Sequence, residues 1–213
     1  MIIISSYTSF TFVFIVDTIG TIDDLIEKNK EITSRLEQYG KLLVANLNDG
    51  CKQLNQLLEI TTGKLNANEG DEKGIYPFFT CSENNLFINK YSFDGESILV
   101  SGNGSRLGYV NYYNGKFNAY QRTYVLSGKR MFYICYFEII SRISEIASQA
   151  TGSAVPYLTK PMFDSFKIYL YKNNADNESL NKKLQIILYQ INNINQRNEK
   201  LKILKTKLLQ KYF

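Results

Sequence analysis

The chain has 213 residues, 44% of them hydrophobic and 14% aromatic, enough to bury one sizeable core and too much for a disordered tail. It contains no histidine, which removes histidine-based acid–base catalysis, Ser-His or Cys-His nucleophile activation and the commonest metal ligand together. Lysine and arginine number 25 against 20 acidic residues, spread unevenly: the net charge is −3 over residues 1–50, +3 over 51–175 and +5 over 176–213, a bias compatible with a polyanion partner that does not require one.

The chain opens on an apolar stretch, residues 2–16 (IIISSYTSFTFVFIV). It lacks the basic start of a signal peptide, is interrupted by Ser5, Ser6, Thr8, Ser9 and Thr11, and falls short of the roughly 20 apolar residues that span a bilayer. Residues 1–13 are therefore set apart as an atypical apolar N-terminus, and a membrane-tethered coiled-coil adaptor stays open as an alternative.

A helical repeat follows over residues 14–50. Ile22, Leu25, Asn29, Ile32 and Leu36 recur at 3-4 spacing, the mark of a coiled-coil seam, with Tyr39 and Leu43 continuing it. Residues 176–213 repeat the pattern with Leu184, Ile187, Ile191, Ile194, Asn198, Leu201, Leu204 and Leu208. At an offset of 169 residues Ile22, Leu25, Asn29 and Ile32 match Ile191, Ile194, Asn198 and Leu201. A polar residue at the same seam position in both helices predicts a specified register, since a slipped pairing would strand it. Gly40 is expected to bend or end the first helix, with Gly50 as the firmer stop.

Between the helices, residues 51–175 turn rich in Gly, Asn, Tyr and Phe. Short apolar runs at Ser97–Val100, Tyr109–Tyr113, Tyr124–Leu126 and Phe166–Leu170 predict strands, and Asp94-Gly95, Gly102-Asn103-Gly104, Asn114-Gly115 and Ser127-Gly128 predict the turns between them. Met131–Ala150 has helical spacing. Cys51, Cys81 and Cys135 are odd in number and far apart, which predicts reduced structural thiols in a cytoplasmic protein and neither a disulfide framework nor a zinc site. The expected class is α+β: one globular domain flanked by two long helices that form an antiparallel coiled coil.

Candidate chemistry lies in this middle domain. The stretch Gly102–Gly108 (GNGSRLG) is neither G-x-G-x-x-G nor followed by Lys-Ser/Thr, so a nucleotide loop is not expected, and Asp94 with Glu96 reads as turn and surface carboxylates. As a DNA-contact loop it fits better: glycines admit main-chain N–H groups to phosphates, while Asn103, Ser105 and Arg106 supply donors, Arg106 with a geometry suited to a guanine edge. Lys64, Asn66 and Asn68 form a second cluster, Lys116, Asn118, Tyr120, Gln121 and Arg122 a third, and Thr151, Ser153, Tyr157 and Lys160 a weaker fourth. Amides suit adenine edges, and strand alternation turns about half of such residues toward the core. No metal or cofactor is expected.

The segments ITTGKLNAN (60–68), GIYPFFTCSE (74–83), YSFDGESILVSGNG (91–104), GYVNYYNGKFNAYQRTYVLSG (108–128) and TGSAVPYLTKPMFDSFKI (151–168), in this order between two such helices, resemble the target-recognition domain of type I restriction-modification specificity subunits. Residues 14–47 resemble the family's central helix and residues 178–213 its distal one. The resemblance implies a non-catalytic chain that binds double-stranded DNA and directs separate modification subunits, which methylate adenine, and separate motor-nuclease subunits. It agrees with the lack of an Asn-Pro-Pro-Tyr-type tetrapeptide and of a G-x-x-x-x-G-K-[ST] loop. The family's first recognition domain has no counterpart before residue 14, so the chain is expected to be a half-subunit that pairs with itself or another half, or a truncated form or silent recombination cassette.

Overall fold

The structure is a computed structural model that describes residues 3–71, 73–82, 86–128 and 130–212, with residues 3–12 as backbone. The chain divides into two compact units, residues 1–40 with 185–213, and residues 41–184.

The first unit is a pair of helices, contributed by α1 (Ile3–Val44) and α4 (Asn174–Tyr212). Asp23 meets Lys205, while Asn29 meets Asn198, so the two run antiparallel. Buried residues on the part of α1 in this unit are Ile15, Ile22 and Ile26, followed by half-buried Asn29, Thr33 and Leu36 and buried Gly40. On the part of α4 in this unit they are Ile187, Leu188, Ile191 and Asn198, with Ile194, Leu201 and Leu208 among the half-buried residues. Two seam residues read from the sequence are thereby corrected: Leu25 and Ile32 are 45% and 47% exposed. Ile22 is buried and Asn29 and Leu36 are half-buried, but the alternate position falls four residues on instead of three. Both spacings put a side chain near the seam, and Ile26 supplies an apolar residue at the second. Leu204 is exposed as well.

Two boundaries also differ from the sequence reading. From Ile3 the apolar start is the beginning of α1, and the helix passes through Gly40 to Val44. One glycine costs about 1 kcal/mol in a helix, which a helix of 42 residues absorbs. No helix among the described residues is long and apolar enough to cross a membrane.

The second unit is built on a six-stranded sheet. In chain order its strands are β2 (Glu59–Thr62), β3 (Tyr76–Phe79), β4 (Leu86–Ile88), β5 (Phe93–Ser101), β6 (Val110–Ala119) and β7 (Thr123–Ser127), arranged β2-β7-β5-β6-β3-β4. All pairs are antiparallel except β3 with β6. A separate ribbon pairs β1 (Gly50–Gln53) with β8 (Lys167–Leu170), tying the segment after α1 to the segment before α4. The interior of this unit holds the first sheet face, with Ile98, Val100, Tyr112, Tyr124 and Leu126 against α2 (Phe132–Ala147) and α3 (Lys160–Asp164). Tyr112 meets the rings of Phe132 and Tyr136, and Tyr124 packs 4.4 Å from Phe163.

Asp94-Gly95 and Asn114-Gly115, expected to be hairpin turns, lie instead within β5 and β6, where Gly95 stands directly opposite Gly115. Both have positive φ, +113° and +137°. Glycine inside a strand marks a tight bend as well as a turn, and here two bends face each other. Their effect is visible at the ends of the ribbon. Thr123 pairs with Ser101, and its Oγ1 donates to the carbonyl of Phe79, which pairs with Ala119. A flat ribbon would keep Ser101 about 26 Å from the level of Phe93 and Phe117, at about 3.3 Å per residue. The sheet therefore coils on itself. Phe79, Leu99, Phe117, Ala119 and Val125 fill its concave face.

Glu96 is also not a turn residue. Its carboxylate accepts hydrogen bonds from the Tyr112 hydroxyl at 2.6 Å and the Tyr133 hydroxyl at 2.9 Å, joining β5 and β6 to α2. Farther along α2 the backbone kinks at Arg142, whose guanidinium bonds Glu138, Glu145 and the Lys167 carbonyl of β8.

Candidate nucleic-acid interface

Three of the four predicted clusters, and part of the remaining one, meet at one junction made of main-chain groups. The N–H of Gly102 donates to the Arg122 carbonyl at 2.8 Å, and the N–H of Leu158 donates to the Gly102 carbonyl at 2.7 Å. A side chain at Gly102 could not be housed: its Cβ would lie 2.4 Å from the Arg122 oxygen. Asn103 and Thr151 each form a β-bridge with Tyr157. On the other side the N–H of Gln121 donates to the Leu65 carbonyl at 2.9 Å, and Leu65 bridges Tyr120. Segments 64–68, 102–108, 120–122 and 151–158, distant in sequence, are thereby held together.

Around this junction Lys64, Asn66, Asn68, Ser105, Gln121, Arg122, Ser153 and Tyr157 are exposed, and Asn103, Arg106 and Tyr120 are half-buried. The Gln121 amide donates to Asn66 Oδ1 at 3.1 Å, so two amides from different segments stand side by side. Lys160 is exposed at the start of α3 and paired with Asp164 at 3.1 Å.

The third predicted cluster is split. Lys116 follows the bend at Gly115, with its ammonium 4.7 Å from the Tyr91 ring; hydrogen bonding with Tyr91 holds its pKa above the usual lysine range. Asn118 is 1% exposed, its amide donating to the Lys90 carbonyl while its oxygen accepts from Ala119 N–H. It lies on the core side of the strand alternation and is withdrawn from any contact surface.

Two arginines near this junction lie over tyrosine rings. Arg106 Cζ lies 3.4 Å from the Tyr109 ring centroid, within a turn closed by Tyr109 N–H donating to the Arg106 carbonyl. Arg122 Cζ lies 5.4 Å from the Tyr157 ring. Beside Arg106 a narrow cleft opens at the end of the concave sheet face, lined by Phe79, Thr80, Ser82, Leu99, Ser101, Tyr109, Asn111 and Thr123. Sequence reasoning passed over Thr80, Ser82, Ser101, Tyr109, Asn111 and Thr123. Tyr109 had a local signal, three residues after Arg106 in a glycine-bounded loop. The others come together only through the coiling of the sheet.

The chain matches the family model described as "Type I restriction modification DNA specificity domain" over residues 48–203. Among curated proteins it is 37% identical over 152 residues to the type I restriction enzyme EcoDI specificity subunit of Escherichia coli, covering 70% of this chain and 33% of that protein. Among solved structures it resembles the type I restriction-modification S subunit from M. genitalium, with a TM-score of 0.71 at 16% identity, over 97% of this chain and 60% of that one. The HsdS subunit from Thermoanaerobacter tengcongensis gives a TM-score of 0.52 at 13% identity, over 94% of this chain and 56% of that one. These likenesses show a shared fold. The chain spans about a third of the length of the curated relative and under two thirds of the solved chains.

Proposed function

The chain belongs to the type I restriction-modification DNA specificity domain family, and from that premise we propose that it is a DNA-reading specificity subunit, without catalysis of its own, that directs modification subunits to methylate adenine and motor-nuclease subunits to cleave. The observation that carries this reading is the junction around Gly102, where side chains bearing amides and cations converge from segments far apart in sequence. Such groups recognise base edges and phosphates, and a rigid main-chain frame fixes their spacing. Residues 51–175 serve as the recognition domain and the helices of residues 14–50 and 176–213 as its coiled-coil flanks. A recognition domain of this kind reads one half of a two-part target. The complex acts in the cytoplasm, where its DNA is.

The test is reconstitution. The chain is purified alone and with its modification subunits, then supplied with S-adenosylmethionine and a duplex library, and methylated adenines are mapped. Methylation confined to one motif, and only when this chain is present, is the expected result. Methyl transfer by the chain alone, or the same methylation pattern without it, overturns the reading.

A further inference from the structure

The two arginine–tyrosine pairs have a geometry that a mere phosphate contact does not call for. A guanidinium seated on an aromatic face has its plane fixed while its N–H fork points away from the ring edge, the arrangement that reaches O6 and N7 of guanine together. A phosphate contact needs charge, and lysine supplies it equally well. The pairs also share one frame: Gly102 bonds the Arg122 carbonyl, and the next residue, Asn103, bridges Tyr157. Arg106 shares the lining of its narrow cleft with half-buried Asn111.

Resting on the DNA-recognition reading above, we propose that Arg106 on Tyr109 and Arg122 on Tyr157 are two separate guanine-reading units of the half-site, with Tyr109 and Tyr157 as positioning residues. The two bases are read independently, because each arginine has its own ring.

The test uses the full chain assembled with its modification subunits and a duplex library randomised across the target, sequencing the bound fraction at two salt concentrations. Arg106→Lys is expected to lose preference for guanine at one position by about ten- to a hundredfold, with the other positions and the salt dependence kept. Arg122→Lys should do the same at a different position. Tyr109→Leu should reproduce the pattern of Arg106→Lys, whereas Tyr109→Phe keeps the wild-type motif. Lysine variants that retain the whole motif, or that weaken all sequences alike, overturn the proposal. So does a Tyr109→Leu variant with an unchanged motif. A wild-type complex that enriches no motif at all overturns the DNA-recognition reading itself, which separates the two failures.

Discussion

Asn29 donates its amide to Asn198 Oδ1 at 2.7 Å, and these two residues occupy equivalent positions of the internal repeat, 169 apart. Antiparallel helices that pair through equivalent residues have a local two-fold axis between those residues. Asn198 is buried and also donates to the Ile26 carbonyl, which ties its amide to one place on α1.

Replacing Asn198 with Ala is expected to cost about 1 to 3 kcal/mol, because the Ile26 carbonyl and the Asn29 amide lose their partner within a seam. Replacing both asparagines with Leu should raise the unfolding temperature while allowing slipped or higher-order pairings. Thermal unfolding measures the first effect, and light scattering of the double variant the second.

Gly95→Ala and Gly115→Ala should each destabilise the sheet unit by about 1 to 3 kcal/mol, since both replace a positive-φ glycine with a residue that resists that conformation. A Cβ on Gly95 meets nothing within 4 Å, so backbone strain alone is being measured there. Denaturant unfolding of both variants checks it; an Ala at Gly95 with wild-type stability would mean that the bend is unstrained.

Gly102→Ala acts differently. Its Cβ would lie 2.4 Å from the Arg122 oxygen, so segments 102–108 and 120–122 must part. Loss of DNA motif preference in the assembled complex is expected, with retention of the strand content seen by circular dichroism. An intact motif would show that the frame does not set the spacing of the contacts.

The kink of α2 gives a pH-dependent prediction. Burial raises the pKa of Glu138, opposed by the Tyr169 N–H and by Arg142 at 2.7 Å, while the hydrogen bond from Arg142 lowers that of Glu145. Ionising Glu138 thus costs stability as pH rises through its raised value, and Arg142 offsets part of that cost. Glu145 adds stability above the ordinary carboxylate range that disappears as pH falls through its lowered value. Arg142→Ala should therefore cost about 3 kcal/mol near neutrality and less on acidification, as Glu138 takes up a proton. Melting curves of both proteins across a series from acid to neutral pH measure it; a deficit that grows on acidification would contradict the assignment.

The two helices, the strand-length runs and the clusters of amide and cationic residues were all legible in the sequence. Strict periodicity marked α4 well, but on α1 the adjacent pair Leu25 and Ile26 satisfied two seams, and only the partner helix chooses between them. Asp94-Gly95 and Asn114-Gly115 looked like turns because glycine permits turns and bends alike; the difference lies in the register of β5 against β6, which no local signal encodes. The cleft floor at Ser101 and Thr123 was hidden for the same reason, since it exists only once the ribbon coils.

The junction around Gly102 is held by peptide groups, with N–H donors of Gly102, Gln121 and Leu158 and carbonyl acceptors of Leu65, Gly102 and Arg122. Apart from the requirement for glycine at position 102, these bonds use no side-chain atoms. Exchanges at Ser105 or Ser153, both exposed, should leave stability within about 0.5 kcal/mol of the starting protein while changing the pattern of donors and acceptors presented outward. One scaffold can therefore carry a repertoire of reading surfaces, each reached from its neighbour by single exchanges that the fold does not register.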